Sequence, residues 1–483
     1  MNLSRRQFLG SATALAYLQL SGCDTNPTWF GQFKQAALEG PIQVPLTGVQ
    51  SPEFHVLSRL GYGPRPQDYK RIAHLGVAGY VAEQLKPEQI DDGECERRVR
   101  RLEALAAPLG ELYEYKEGYL LKELTRGAVL RATYSERQLY EQMVGFWSDH
   151  FNIDSSKGDC RWLKVADDRE VIRKHAMGSF PALLRASALS PAMLWYLDGR
   201  ANRKATEEER PNENYARELL ELHTLGVEGG YSQQDVGEVA RCLTGWTTLN
   251  KGIGKHGKVV FRKGQHDDGE KLVLGHRISA GGGEKDLEQV LDIVALHPST
   301  AQFIARKLCV RFIEDDPSQT VVDAVAKTFT DSKGDIASVL DTLFQREEFW
   351  AARGEKFKRP FRYMVSALRA THSETDAPDA LLDYLMRMGH APFQYPTPDG
   401  YGEGEAAWSG TLLWRWHLAR ALAENRVGGV TVDWNGLKSA FEEEQQVLAH
   451  FWGREAVAKE VRILKSSPMK AAVALAAPAF QVY

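Results

Sequence analysis

The chain has 483 residues, 60 of them basic and 64 acidic, giving a formal net charge of −4, and 43% are hydrophobic. That is ample apolar material for a sizeable core. A mildly acidic chain with no long basic run lacks the electrostatic footprint of a nucleic-acid binder, so nucleic acid is not an expected partner.

Two adjacent arginines, Arg5 and Arg6, precede an uncharged apolar stretch from Leu9 to Leu20. The stretch is shorter than the roughly 20 apolar residues of a bilayer-spanning helix. With the arginine pair it resembles a twin-arginine export signal. Leu20-Ser21-Gly22-Cys23 resembles a bacterial lipobox, in which the Cys23 sulfur takes a diacylglycerol and Cys23 becomes the first residue after cleavage. Two acyl chains suffice for stable anchoring, and Asp24 directly after the cysteine resembles a signal for retention in the inner membrane. Residues 1–22 are thus expected to be a signal peptide read by the twin-arginine translocase. The protein is expected in the periplasm, held to the inner membrane by lipid on Cys23.

Residues 23–50 contain Pro27, Pro41, Pro45 and several glycines and show little pattern, so they read as a flexible tether. From residue 51 to 483 the text is helical with few interruptions. Ser51-Pro52-Glu53 starts one helix and Gly61 ends it. Ser135 with Gln138 suggests a capping box opening a helix that runs to about His150. Ser299 begins another, with Ala301, Ile304, Ala305, Leu308 and Phe312 at helical spacing. Further helices are predicted over 213–225, 232–243, 284–296, 335–347, 359–371, 378–388, 410–425, 433–452 and 454–476. The clearest strand signals are 258–261 and 271–274, expected to pair as one small hairpin across the His266-Asp267-Asp268-Gly269 turn. The predicted fold is mainly α: one large irregular multi-helix domain with a small inserted β-hairpin. Beyond Cys23 the cysteines are Cys95, Cys160, Cys242 and Cys309, far apart and without a Cys-x-x-Cys, and they read as structural thiols.

The segment Asn212-Glu213-Asn214-Tyr215-Ala216-Arg217-Glu218-Leu219-Leu220-Glu221-Leu222-His223-Thr224-Leu225-Gly226 resembles the signature of a bacterial family catalogued as domain of unknown function 1800. Further matching pieces are Phe146-Trp147-Ser148-Asp149-His150-Phe151-Asn152, His266-Asp267-Asp268-Gly269, His297-Pro298-Ser299-Thr300-Ala301 and Pro396-Thr397-Pro398-Asp399-Gly400-Tyr401. The resemblance runs from about residue 52 to the end and implies an exported protein. It brings no catalytic residues with it. It does imply a partner, because such proteins are often encoded beside a second exported family whose fold is similar to sulfatases and alkaline phosphatases.

Candidate chemistry gathers at three places. On the helix after Pro211, Asn214, Glu218 and Glu221 share one stripe with Arg217 at its edge, which could hold a divalent metal or serve acid–base work. An ordinary solvated face, with an Arg217–Glu221 pair, is the bland alternative. His223 lies on the apolar side of that helix, where a neutral core histidine is expected. The turn at His266 and Asp267 is the stronger candidate, since a histidine and two carboxylates there could shuttle protons or bind zinc or manganese. Aspartate before glycine is also ordinary turn chemistry. His150, after Asp149, is a third candidate, although a protonated histidine at a helix C-terminus is stabilising in itself. The loop Pro396–Tyr401 with Trp408 could form an aromatic wall. These residues lead to the expectation of a metal-dependent or acid–base enzyme built from His266, Asp267, Glu218, Glu221 and His150. The competing expectation is a non-catalytic helical partner of another exported protein. A divalent metal would be held by His266, Asp267, Glu218 and Glu221, which are expected to converge in one pocket.

Overall fold

A computed structural model describes residues 35–204, 206–252, 254–441 and 443–483. The export signal at Arg5 and Arg6, Cys23 and the first part of the tether lie outside the described residues. Leu38–Tyr483 form one compact unit, built mainly from helices. Among the described residues no helix is long and apolar enough to cross a membrane.

The expected tether is shorter than the sequence suggested. Ile42 and Val44 are buried while Pro41 and Gln43 face out, a two-residue alternation that lays this segment on the globule. The Ile42 amide donates to Ala440 O (2.8 Å) and the Val44 amide to Gln446 Oε1 (2.7 Å). Ser51 caps the Pro52–Arg59 helix as expected, its hydroxyl accepting from the Phe54 amide. The next expected cap is absent. The helix opens at Gln138, Ser135 Oγ instead accepts from Arg137 N and donates to Asp92, and Gln138 turns back to donate to the Ser135 carbonyl.

The Gln138–His150 helix is central because Leu139, Met143, Val144, Phe146 and Trp147 are buried on several sides of it. Trp147 is fully buried and donates its indole N–H to Ala176 O (3.0 Å). Pro298–Phe312 and Pro360–Ala370 supply two more largely buried helices beside the site described below. Several buried arginines act as staples between segments. Arg59 donates to Ile313 O and Ala352 O, and Arg369 to Gly63 O, Thr133 O and Asp68. Cys95, Cys160, Cys242 and Cys309 are free and buried, in keeping with structural thiols.

The β-prone runs form strands, but not with each other. Val259–Phe261 pairs antiparallel with Trp246–Thr248, in the register Trp246↔Phe261 and Thr248↔Val259. Lys271–Val273 pairs with His276–Ile278, in the register Lys271↔Ile278 and Val273↔His276. A third two-stranded ribbon joins Glu374–Thr375 to Val430–Thr431. The single expected hairpin is therefore two short ribbons, and the His266 turn lies between them.

Candidate acid–base site

The residues of the His266 turn are committed to holding the fold. His266 is buried; its Nδ1 lies 2.9 Å from Thr244 O and its Nε2 lies 3.1 Å from Asp286 Oδ2. The Lys271 ammonium, also buried, sits 2.5 Å from the same Asp286 oxygen and donates to the Asp267 carbonyl. Arg241 grips Asp267 with two hydrogen bonds (2.9 and 3.0 Å), and that bonding holds the Asp267 carboxyl below its usual range. Asp268 is exposed. Asp286 Oδ1 has no partner, but a Cβ added at Gly282 would lie 1.9 Å from it, so backbone fills that side and no ligand fits.

Neither Glu218 nor Glu221 is a partner of His266. Among the described residues there is no group of three or more His, Cys, Asp or Glu side chains placed to hold a metal ion. The expected metal quartet of His266, Asp267, Glu218 and Glu221 is thus not assembled. His266 and Asp267 are occupied by Thr244, Asp286 and Arg241, which sequence spacing alone could not place beside them.

The Asn214–Glu221 helix buries Tyr215, Ala216, Leu219 and Leu220 and leaves Glu218 and Glu221 half-buried. Asn214 donates to Leu197 O (3.0 Å) and so serves as a tie. Arg217 pairs with Glu213 (3.2 Å) instead of Glu221, and Glu221 accepts from Tyr231 OH (3.4 Å). Burial and the neighbouring Glu221 raise the Glu218 carboxyl above its ordinary range, with Asp399 adding to the shift and Arg217 opposing it.

The same segment reaches the end of the Gln138–His150 helix. His150 Nε2 lies 3.2 Å from His223 O, and His150 Nδ1 lies 3.0 Å from Lys307 Nζ. A carbonyl can only accept, so Nε2 carries the ring proton and Nδ1 accepts from the lysine. Burial, then Lys307, then His223 hold the His150 imidazole well below its usual range. It is neutral, and the expected stabilisation of a protonated His150 by the helix dipole does not arise. His223 is likewise neutral, lowered to about 3 by burial and by Lys307, and its Nε2 has no partner. Lys307 has no carboxylate within ion-pair distance among the described residues. Burial lowers its ammonium to about 8, against the opposing pull of Asp149, Glu403 and Asp399. Asp399 acts on both Lys307 and Glu218.

Beside Asp149 lies a small cleft, partly open to solvent. Arg311, four residues after Lys307 and so on the same face of its helix, donates to Glu403 (2.6 Å) and Gln142 (3.1 Å). Arg359 bridges Glu403 (2.8 Å) and Asp149 (2.6 Å). Burial alone would raise Glu403, but Arg311, Arg359 and Lys356 together hold its carboxyl far below the usual range. The loop 391–401 closes over the helix end. Asn152 donates to Tyr395 O and Thr397 O, and Tyr196 OH to Pro396 O. Gly400, at φ +74, packs so tightly that an added Cβ would lie 2.2 Å from the Asp149 carbonyl oxygen. Trp408 is buried, stacked on His390 at 5.0 Å, and supports this loop without forming an open wall; Tyr401 lines the cleft.

Of the sequence candidates, His150, His223 and Asp399 lie near Lys307, and Asp399 also lies near Glu218, whereas His266 and Asp267 belong elsewhere. Lys307, Arg311, Arg359 and Glu403 escaped sequence reasoning. On the Pro298–Phe312 helix Lys307 and Arg311 flank the apolar stripe and look like ordinary surface cations. Only the position of His150 beside them reveals otherwise.

What fold and site define together is an irregular helical protein with a half-buried lysine–histidine pair beside an arginine-lined cleft. The family described as a protein of unknown function, DUF1800, matches residues 55–482, and the chain belongs to it. No curated protein matches the chain, and no solved structure matches it.

Proposed function

We propose that this is an exported, lipid-anchored periplasmic protein with acid–base activity, in which the Lys307 amine is the base and Glu218 the acid. The observation that supports it is the contact of Lys307 Nζ with the neutral His150 Nδ1 at 3.0 Å, in surroundings that lower the ammonium to about 8. A base works best when its pKa lies near the operating pH. His150 takes one N–H of the amine and leaves the lone pair for a substrate. Asp149, Glu403 and Asp399 keep the pKa from falling further. Glu218, whose carboxyl burial and Glu221 raise above its ordinary range, is assigned the complementary role. An acid–base route needs no three-ligand metal group. A second reading, docking to an exported sulfatase- or phosphatase-like partner, is favoured by one feature: Leu412 and Leu413 are 50% and 63% exposed at the start of their helix.

The base is tested without knowing the substrate. An amine-reactive acylating reagent, read by peptide mass spectrometry across a pH series, should modify Lys307 with a midpoint near 8. A midpoint near the ordinary 10.5 removes the reading. Export is tested separately. Changing Arg5 and Arg6 together to lysine should leave the precursor in the cytoplasm, because lysine does not replace the guanidinium pair. Cys23→Ala should abolish labelling by a radioactive fatty acid. Normal delivery of the first variant, or persistent labelling of the second, contradicts the envelope assignment.

A further inference from the structure

The cleft beside Lys307 is lined by two groups of charged side chains. Its lining includes Arg311, Arg359 and Arg362 at one end and Glu141, Asp168 and Arg173 at the other. At the first end Arg311 and Arg359 share the two carboxylates of Glu403 and Asp149. Arg362 has no acid partner there; it donates to Ser58 O, Gly61 O and Gln142 Oε1. At the second end one guanidinium, Arg173, is shared by two carboxylates, taking Glu141 in two hydrogen bonds (2.9 and 3.1 Å) and Asp168 Oδ2 in a third (2.9 Å). The second end is not left negative, because the buried Arg131 also lies beside Glu141 and Asp168, whereas at the first end Arg362 bonds only to neutral acceptors.

What distinguishes the two ends is unmet hydrogen-bonding capacity. Arg311 and Asp168, each with a side chain only 5% exposed, both line the cleft. Arg311 Nε, a donor, and Asp168 Oδ1, an acceptor, have no partner. Ser148 Oγ, also in the lining, is a third polar atom left without one. Buried polar atoms are satisfied in the great majority of cases, so three such atoms around one cleft point to an occupant. Asp168 also opens a short π-helical segment, Asp168–Arg173, of the kind that tends to occur at functional sites. The wall between the ends is apolar, with Val144, Phe361, Pro392 and Phe393.

We propose that the cleft binds a small zwitterion with an apolar body, an amino acid or dipeptide. Its ammonium would lie at Asp168 Oδ1 and its carboxylate at Arg311 Nε. A single anion would satisfy one end and leave the acceptor at the other unmet, and an apolar ligand would satisfy neither. The inference concerns binding, not turnover, and stands whether or not Lys307 is a base.

Isothermal titration calorimetry on the purified mature protein tests it, with phenylalanine and the dipeptide Leu-Phe as probes. Both are compared with their N-acetylated and C-amidated forms. The unblocked probe should bind, and either block should weaken binding at least about tenfold, the loss expected for one charge-assisted hydrogen bond. Tighter binding of phenylalanine identifies a free amino acid as the ligand class, and tighter binding of Leu-Phe identifies a peptide. Asp168→Asn should weaken the unblocked probe by a similar factor and leave the N-acetylated one unchanged. No binding of either unblocked probe to the unaltered protein overturns the proposal and leaves water as the occupant. Equal binding of blocked and unblocked forms also overturns it. The blocked-probe comparison needs no variant to fold.

Discussion

Two buried histidines, His266 and His150, sit in comparable depth and density, yet one is built into a lock and the other into an opening. Around His266 the charges answer each other: Lys271 compensates Asp286, Arg241 compensates Asp267, and both ring nitrogens have partners. Around His150 the count is left open. Among the described residues its lysine has no ion-pair partner, and His223 Nε2 has no hydrogen bond. Burying a charge without a close counter-ion costs stability, so the second arrangement does not serve the fold. Stored imbalance of this kind is what acid–base sites are made of.

That contrast bears on how far the sequence could be read. Helix content, the Ser51 cap, the four free thiols and the neutral His223 were legible because they depend on local pattern and on burial of one face. The strand segments were legible too, but their partners were not. Trp246–Thr248 follows Gly245 at the end of a helical motif and carries no alternation long enough to show. The His266 turn looked functional because it concentrates a histidine and carboxylates, and its true partners, Thr244 and Asp286, are each about 20 residues away in sequence. Lys307 looked inert for the converse reason, since a lysine beside an apolar stripe usually reaches water.

The contrast would break most visibly at Asp286. Asp286→Asn leaves the buried Lys271 ammonium without its counter-charge, which should cost about 3–5 kcal/mol of stability. Denaturant unfolding measures it. The acylation midpoint of Lys307 should stay near 8 in this variant, since the two centres share no residue. A loss below about 1 kcal/mol would mean the Lys271–Asp286 pair is not the lock described here.

A smaller effect is expected at Gly400. Alanine there meets the Asp149 carbonyl and must adopt a left-handed backbone, at a cost of about 1–3 kcal/mol. The loop then has to lift off the helix end and let water reach Lys307. The acylation midpoint should move from 8 up toward 10.5. A destabilised protein with an unmoved midpoint would show that the loop does not shape the lysine's surroundings.

The smallest change in stability, and the one that sharpens the comparison most, belongs to Lys307→Met. Burial lowers the folded-state pKa of Lys307 to about 8 from 10.5. Below pH 8 both folded and unfolded chains hold the proton, and the fold carries the full cost of the buried ammonium. Between pH 8 and 10.5 the unfolded chain holds more of it, so this group makes stability rise with pH across that window. Methionine keeps the volume and removes the charge. At pH 7 the variant should lose less than about 1 kcal/mol, or gain, because no ion pair is broken. Its stability should also lack the rise that the unaltered protein shows between pH 8 and 10.5. Subtracting the two profiles cancels the other groups that titrate in that range. A loss of several kcal/mol at pH 7, or identical slopes, would place Lys307 among the structural cations with Lys271, and the division between lock and opening would not stand.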